Sequence, residues 1–139
     1  MRSRTEDLVT LREELDFIES YSFLIQTRFD TSINFTIEIP AELHRLMLPP
    51  LTLQMLVENA IKHTLITEKK PLHIRIKGGA AQTIEVINTF NEKPQSKLSG
   101  SGSGLENIRM RYSHFTPKKI SVTQTQQEFK VIIPLLEAK

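Results

Sequence analysis

There is no cysteine and no tryptophan in this chain. Without thiols, disulfides, zinc–thiolate sites and cysteine nucleophiles are all excluded, and the composition is compatible with the cytoplasm. Aromatic residues make up only 6%, and 18 basic against 16 acidic residues leave a formal charge of +2. That balance lacks the basic stripe with interleaved aromatics of a nucleic-acid binder, so no direct nucleic-acid contact is expected. No run approaches the roughly 18 consecutive apolar residues of a membrane span. The polar start Met1–Thr10 leads into a helical pattern rather than a secretory leader. Glycine is also scarce, and Gly100, Gly102 and Gly104 crowd into the one low-complexity stretch, Ser99–Gly104.

What is present suits one ordinary globular domain: 139 residues, 39% apolar and 24% charged, enough to bury a core. Residues 7–29 read as a long helix, with Leu8, Leu11, Leu15, Ile18, Ile25 and Phe29 at three- and four-residue steps and Ser22 in one slot. Phe17, Tyr21 and Leu24 widen that stripe, which favours packing on a domain over a bare coiled coil and leaves a share in dimerisation as the alternative. The expected division is therefore an N-terminal helix over 1–30 and a folded domain over 31–139.

Residues 33–39 alternate apolar and polar and predict a strand. Pro49-Pro50 predicts the opening of a second helix that runs to about Thr64. Strands are expected at 72–77 and 83–88, turned at Gly78-Gly79, and at 119–124 and 128–133, turned near Gln126-Gln127. Residues 89–103 have no apolar period and predict a long loop. A third helix begins near Leu105, with Leu105, Ile108, Tyr112 and Phe115 on one side. This order implies an α+β fold, with helices covering one face of a mixed, mainly antiparallel sheet.

The second helix carries the first candidate chemistry. Leu53, Leu56, Val57, Ala60 and Ile61 form one apolar arc, and Glu58, Asn59, Lys62 and His63 gather on the other, together with Met55. The amide carbonyl of Asn59 can bind a hard cation. Lys62 or His63 can meet phosphate oxygens, and Glu58 can orient or activate a hydroxyl or water. The plainer alternative is a solvated face with a Glu58–Lys62 pair at i, i+4.

The second candidate is the glycine run that enters the third helix. Glycines let backbone amides turn towards a ligand, and a helix N-terminus adds unpaired N–H groups that favour anions. Two plainer readings stand beside it. Ser103 and Glu106 have capping-box spacing, which would satisfy those amides internally, and a Ser/Gly run can serve only as a flexible linker.

Taken together, Pro49-Pro-Leu-Thr-Leu-Gln-Met-Leu-Val-Glu-Asn-Ala-Ile-Lys-His63 and Gly102-Ser-Gly-Leu-Glu-Asn-Ile-Arg-Met-Arg-Tyr112 resemble the LytS-like branch of sensor histidine kinases, within the GHKL ATPases. The stretches Leu11–Tyr21 and Gln26–Phe29 are similar to the helix that follows the phosphoacceptor region in that branch. The resemblance implies a two-layer Bergerat-type sandwich and binding of ATP with Mg²⁺. By the same resemblance, Asn59 matches the Mg²⁺ residue and Glu58 a residue that assists phosphoryl transfer. Lys62 and His63 match positions near the phosphates, and Gly102 and Gly104 match the glycine box of the ATP lid, with Gly100 and Leu105 as further candidate nucleotide-binding residues.

The family's adenine-binding Asp-x-Gly-x-Gly box falls near Val86–Asn91. There Asn88 stands at the acidic position and the glycines are missing, so the acceptor for the adenine amino group has lost its charge. None of His44, His63, His73 and His114 matches the acceptor motif, so the phosphorylated histidine is expected before residue 1. The resemblance further implies a homodimeric parent anchored in the bacterial inner membrane, with this domain in the cytoplasm. Its partners would be a phosphoacceptor helix and a response regulator, often of LytTR type. The altered adenine box motivates an alternative, a degenerate module acting through protein contacts. An anti-sigma-factor kinase acting on serine is a third.

Overall fold

The computed structural model describes residues 8–29, 32–91 and 103–137. Chain order is β1 (Val9–Thr10), α1 (Leu11–Phe29), β2 (Ile33–Glu38), a 3₁₀ turn (Ala41–Leu43), β3 (Met47–Leu48), α2 (Thr52–His63), β4 (Leu72–Gly78), β5 (Thr83–Thr89), α3 (Ser103–Ser113), β6 (Ser121–Gln124) and β7 (Glu128–Pro134). The main sheet runs β2-β4-β5-β7-β6. Only β2 and β4 pair in parallel; the other pairs are antiparallel. This is the expected α+β sandwich.

Period-two burial decides which face of the sheet the helices cover. Leu72, Ile74 and Ile76 are inaccessible on β4, as are Ile84 on β5 and Ile133 on β7. Register places Ile76 opposite Val86, and Val86 opposite Val131, on the same face. Leu11, Leu15 and Ile18 of α1, Leu53, Leu56, Val57 and Ala60 of α2, and Ile108 and Tyr112 of α3 join them in one core cluster. At about 1.5–3 kcal/mol for each large apolar side chain buried, this cluster fixes how the helices lie on the sheet. The opposite face carries Thr36, His73, Arg75, Lys77, Glu85 and Lys130, and His73 Nε2 lies 2.8 Å from Thr36 Oγ1.

Four expectations need correction. The first helix starts at Leu11 rather than residue 7, because Val9–Thr10 pairs with Met47–Leu48. Thr10 then caps it: Glu13 N–H donates to Thr10 Oγ1 at 3.2 Å and Thr10 N–H donates to Glu13 Oε1 at 2.9 Å, a reciprocal capping box. Phe17 and Leu24 do not widen its buried stripe. They stay 45% and 65% exposed, while Tyr21 and Ile25 pack against the core.

The second helix starts at Thr52, after the two prolines, because Leu51 is left-handed at φ 68°. The hairpin between β4 and β5 bends at Ala81 and Gln82, which take the positive φ values instead of the glycines. Gly78 is needed for a different reason, since a Cβ there would lie 2.9 Å from Pro40 Cδ.

Candidate functional site

The position of α2 is set at its N-terminus by a residue of α1. Glu14, only 6% exposed, accepts the N–H of Leu51 at 2.7 Å and of Leu53 at 3.0 Å. Left-handed backbone at Leu51 costs about 1–2 kcal/mol. Two hydrogen bonds to the Glu14 carboxyl, each contributing about 0.5–1.5 kcal/mol, offset it. Burial pushes the Glu14 carboxyl above the usual range; these two backbone bonds and the nearby charge of Arg111 pull the other way.

With α2 so held, its polar arc faces outward one turn further on. Met55, Glu58, Asn59, Lys62 and His63 line a shallow cavity of about 160 Å³, closed on one side by Gly104 at the start of α3. A Cβ on Gly104 would stand 3.2 Å from Asn59 Oδ1, so a bare backbone there lets helix α3 approach the amide without covering it. Met55, an apolar intruder in the arc, touches both the core and the cavity, and its sulfur lies 3.6 Å from Arg111 Nη1.

Glu58 is exposed. Its Oε2 accepts from Gln54 Nε2 at 2.9 Å and from the Tyr21 hydroxyl at 3.5 Å. Two larger cavities, of 220 Å³ beside Arg109, Lys118 and Lys119 and of 510 Å³ beside Pro40, Arg45 and Gln82, include none of these α2 residues.

Asn88 sits on the core-facing side of β5, 4% exposed. Its amide nitrogen donates to Thr89 O at 2.8 Å, which leaves the carboxamide oxygen as the group able to accept. Leu105 lies in the first turn of α3 and packs partly against the core. Gly100 and Gly102 lie outside the described residues, as does the Ser103 side chain of the expected capping box; Glu106 pairs with Arg109 at 3.1 Å. Of the sites read from sequence, the fold therefore brings together Glu58, Asn59, Lys62, His63 and Gly104, and places Asn88 and Leu105 in neighbouring elements.

Sequence reasoning missed Glu14, Tyr21 and Gln54 as neighbours of this site. It also missed Thr64, whose buried hydroxyl has no hydrogen-bond partner among the described residues. Only Gln54 had a readable signal, the i, i+4 spacing to Glu58. The described residues hold no group of three or more His, Cys, Asp or Glu fit for a metal ion. None of their helices is long and apolar enough to cross a membrane.

No family model matches the chain. Sensor histidine kinase YesM of Bacillus subtilis is 35% identical over 114 residues, 78% of this chain and 20% of that protein. Sensor protein LytS of Staphylococcus saprophyticus is 33% identical over 125 residues, 80% of this chain and 21% of that protein. The chain thus spans about a fifth of the length of the curated relatives it matches. The catalytic domain of histidine kinase ThkA superposes with a TM-score of 0.60 at 20% identity, covering 94% of this chain and 97% of that one. By sequence over most of its length, the chain belongs with the LytS/YesM-type sensor histidine kinases, and it has the Bergerat-type fold of histidine kinase catalytic domains.

Proposed function

We propose that this chain binds ATP with Mg²⁺ and presents the γ-phosphoryl group to a histidine on another segment. One observation carries the reading: an amide, an acid, an amine and an imidazole of α2 converge with the first turn of α3 on one cavity, in a fold shared with histidine kinase catalytic domains. The donor set fits the group, because Gly104 leaves Asn59 Oδ1 uncovered and Asn88 keeps an oxygen able to accept from an amino group.

In this reading the Asn59 carbonyl holds Mg²⁺, which when bound neutralises charge on the phosphate oxygens. Lys62 and His63 meet the phosphates. Gly104 and the Leu105 amide supply backbone N–H groups at a helix N-terminus, where anions are favoured. Of Gly100 and Gly102, both outside the described residues, the resemblance assigns Gly102 to the same lid, with Gly100 as a further candidate. Asn88 accepts the adenine amino group. Glu58 accepts an N–H of the incoming imidazole and so turns its other nitrogen towards phosphorus. The new N–P bond forms as the γ-phosphorus bond to the bridging oxygen breaks and ADP leaves. Positioning and charge stabilisation do most of the work, as is usual in phosphoryl transfer.

The same reading gives the partners: a phosphoacceptor helix of the same or a partner subunit, in a homodimer, and a response regulator, of LytTR type in this branch. It also makes this a cytoplasmic domain of a membrane-anchored protein. Calorimetric titration with an unhydrolysable ATP analogue tests it. Saturable, Mg²⁺-dependent binding that Asn59→Ala abolishes is expected. No binding at about 1 mM nucleotide, where even a free energy near −4 kcal/mol is visible, would favour the second reading, a degenerate module acting through protein contacts. The uncharged Asn88 is the observation that favours that second reading.

A further inference from the structure

We propose that Tyr21 of α1 is a positioning residue that holds Glu58 in the orientation phosphoryl transfer needs, so that α1 reaches the candidate site directly. This inference rests on the reading of Glu58 as the group that orients the acceptor imidazole.

An exposed glutamate on a helix surface is free to rotate about its side-chain bonds, and that freedom must be reduced before its carboxylate can orient anything. Here two donors arrive at the same oxygen. Gln54, one turn earlier on α2, reaches Oε2 at 2.9 Å, and the Tyr21 hydroxyl, from a different helix, reaches Oε2 at 3.5 Å. Oε1 accepts no hydrogen bond among the described residues and is left for an incoming N–H. The Tyr21 contact is long for an O–H···O bond, so it acts by limiting rotation.

The arm that carries the phenol is stiff. Its ring stacks on Phe17 with centroids 6.1 Å apart and planes 14° apart, and it packs partly against the core. The helix beneath it is anchored by Leu11, Leu15 and Ile18 and tied to α2 by Glu14. Were Tyr21 only filling space, phenylalanine would serve equally well, and this is what separates the two roles. Burial raises the Tyr21 phenol above its ordinary value, and the charge and hydrogen bond of Glu58 raise it further.

Two measurements decide the matter. The chain has two tyrosines, and Tyr112 is buried with its hydroxyl committed to Pro134 O at 2.9 Å, so Tyr21 ionises first in an ultraviolet absorbance titration. Glu58→Gln is expected to lower that ionisation towards the ordinary value; an unmoved titration overturns the contact. In the second measurement, label from γ-labelled ATP is followed onto a histidine-bearing segment of a LytS-like kinase added in trans. At saturating nucleotide, Tyr21→Phe is expected to slow transfer by roughly ten- to a hundredfold, with nucleotide affinity within about twofold of wild type. In a Glu58→Gln background the same change should do nothing further, since the two residues act as a unit. Wild-type rates in Tyr21→Phe, or equal losses in both backgrounds, overturn the proposal. A wild-type chain that transfers nothing would instead sink the proposed function, and the absorbance titration would still decide whether Tyr21 and Glu58 are coupled.

Discussion

Glu14 of α1 accepts the backbone N–H of Leu51 at 2.7 Å, and through that bond one helix sets where the next begins. The amide is one of the orphan donors of a helix start, and here a carboxylate from a separate helix meets it in place of a local cap. The helix so positioned is the one that carries Glu58 and Asn59.

Replacing Glu14 tests this clamp. Glu14→Gln keeps one acceptor oxygen but turns an NH₂ towards the second amide, so a loss of about 1–3 kcal/mol in denaturant unfolding is expected. The pH dependence has a definite sign. Burial raises the folded-state pKa above the ordinary 4.5, so the folded protein holds this proton more tightly than the unfolded chain. The contribution is complete below about pH 4.5 and is lost as pH rises through the raised value. Unfolding midpoints across this range should lose that slope in Glu14→Gln; an unchanged slope would mean that Glu14 is not its source.

Gly104→Ala separates stability from binding. Alanine is the better helix former by about 1 kcal/mol, so thermal stability should hold or rise slightly. The added Cβ would stand 3.2 Å from Asn59 Oδ1, tight enough to displace the amide. Calorimetry is expected to show a roughly tenfold or greater loss of Mg²⁺-nucleotide affinity, about 1.4 kcal/mol or more. Unaltered affinity would remove Asn59 from the binding site.

Tyr112→Phe removes the hydroxyl that donates to Pro134 O at 2.9 Å across the buried seam between α3 and β7. A carbonyl left without its donor in a 1%-exposed environment should lower unfolding free energy by about 1–3 kcal/mol. Because α3 also carries Gly104, nucleotide affinity should fall only in proportion to the population unfolded. A direct loss of affinity in fully folded Tyr112→Phe would show that α3 itself has shifted.

Asn88→Asp addresses the altered adenine box. A charged acceptor forms a bond up to about twice as strong as a neutral one, so adenine nucleotide should bind more tightly. The change also removes the donor to Thr89 O at 2.8 Å and places a charge at a 4%-exposed position, so stability should drop by about 1–3 kcal/mol. Weaker nucleotide binding by the folded variant would place the adenine elsewhere.

Much of this was legible in the residues. The apolar spacing of Leu53, Leu56, Val57 and Ala60 forced one face of α2 into the core, and the same period turned Glu58, Asn59, Lys62 and His63 outward together. Alternation along 72–77 likewise fixed which face of β4 is buried. The two-residue strands β1 and β3 were not legible, because so short a pairing has no period; only their hydrogen-bonded register defines them. Exposure of Phe17 and Leu24 was hidden for a related reason. Apolarity says which side chains can be buried, while the partner surface decides which ones are.

Local periodicity, glycine placement and the two motif segments therefore determined the order of the longer elements, the core faces and the α2 residues that share one polar arc. Tertiary structure alone decided that Glu14 would cap α2, that Gly104 would face Asn59 and that Tyr21 would reach Glu58. The physical reason is one of range. A period of 3.6 or 2 is set by neighbours a few positions apart, whereas Glu14 and Leu51 or Tyr21 and Glu58 are separated by 37 positions. They meet only once burial of the shared core has set one helix beside the other.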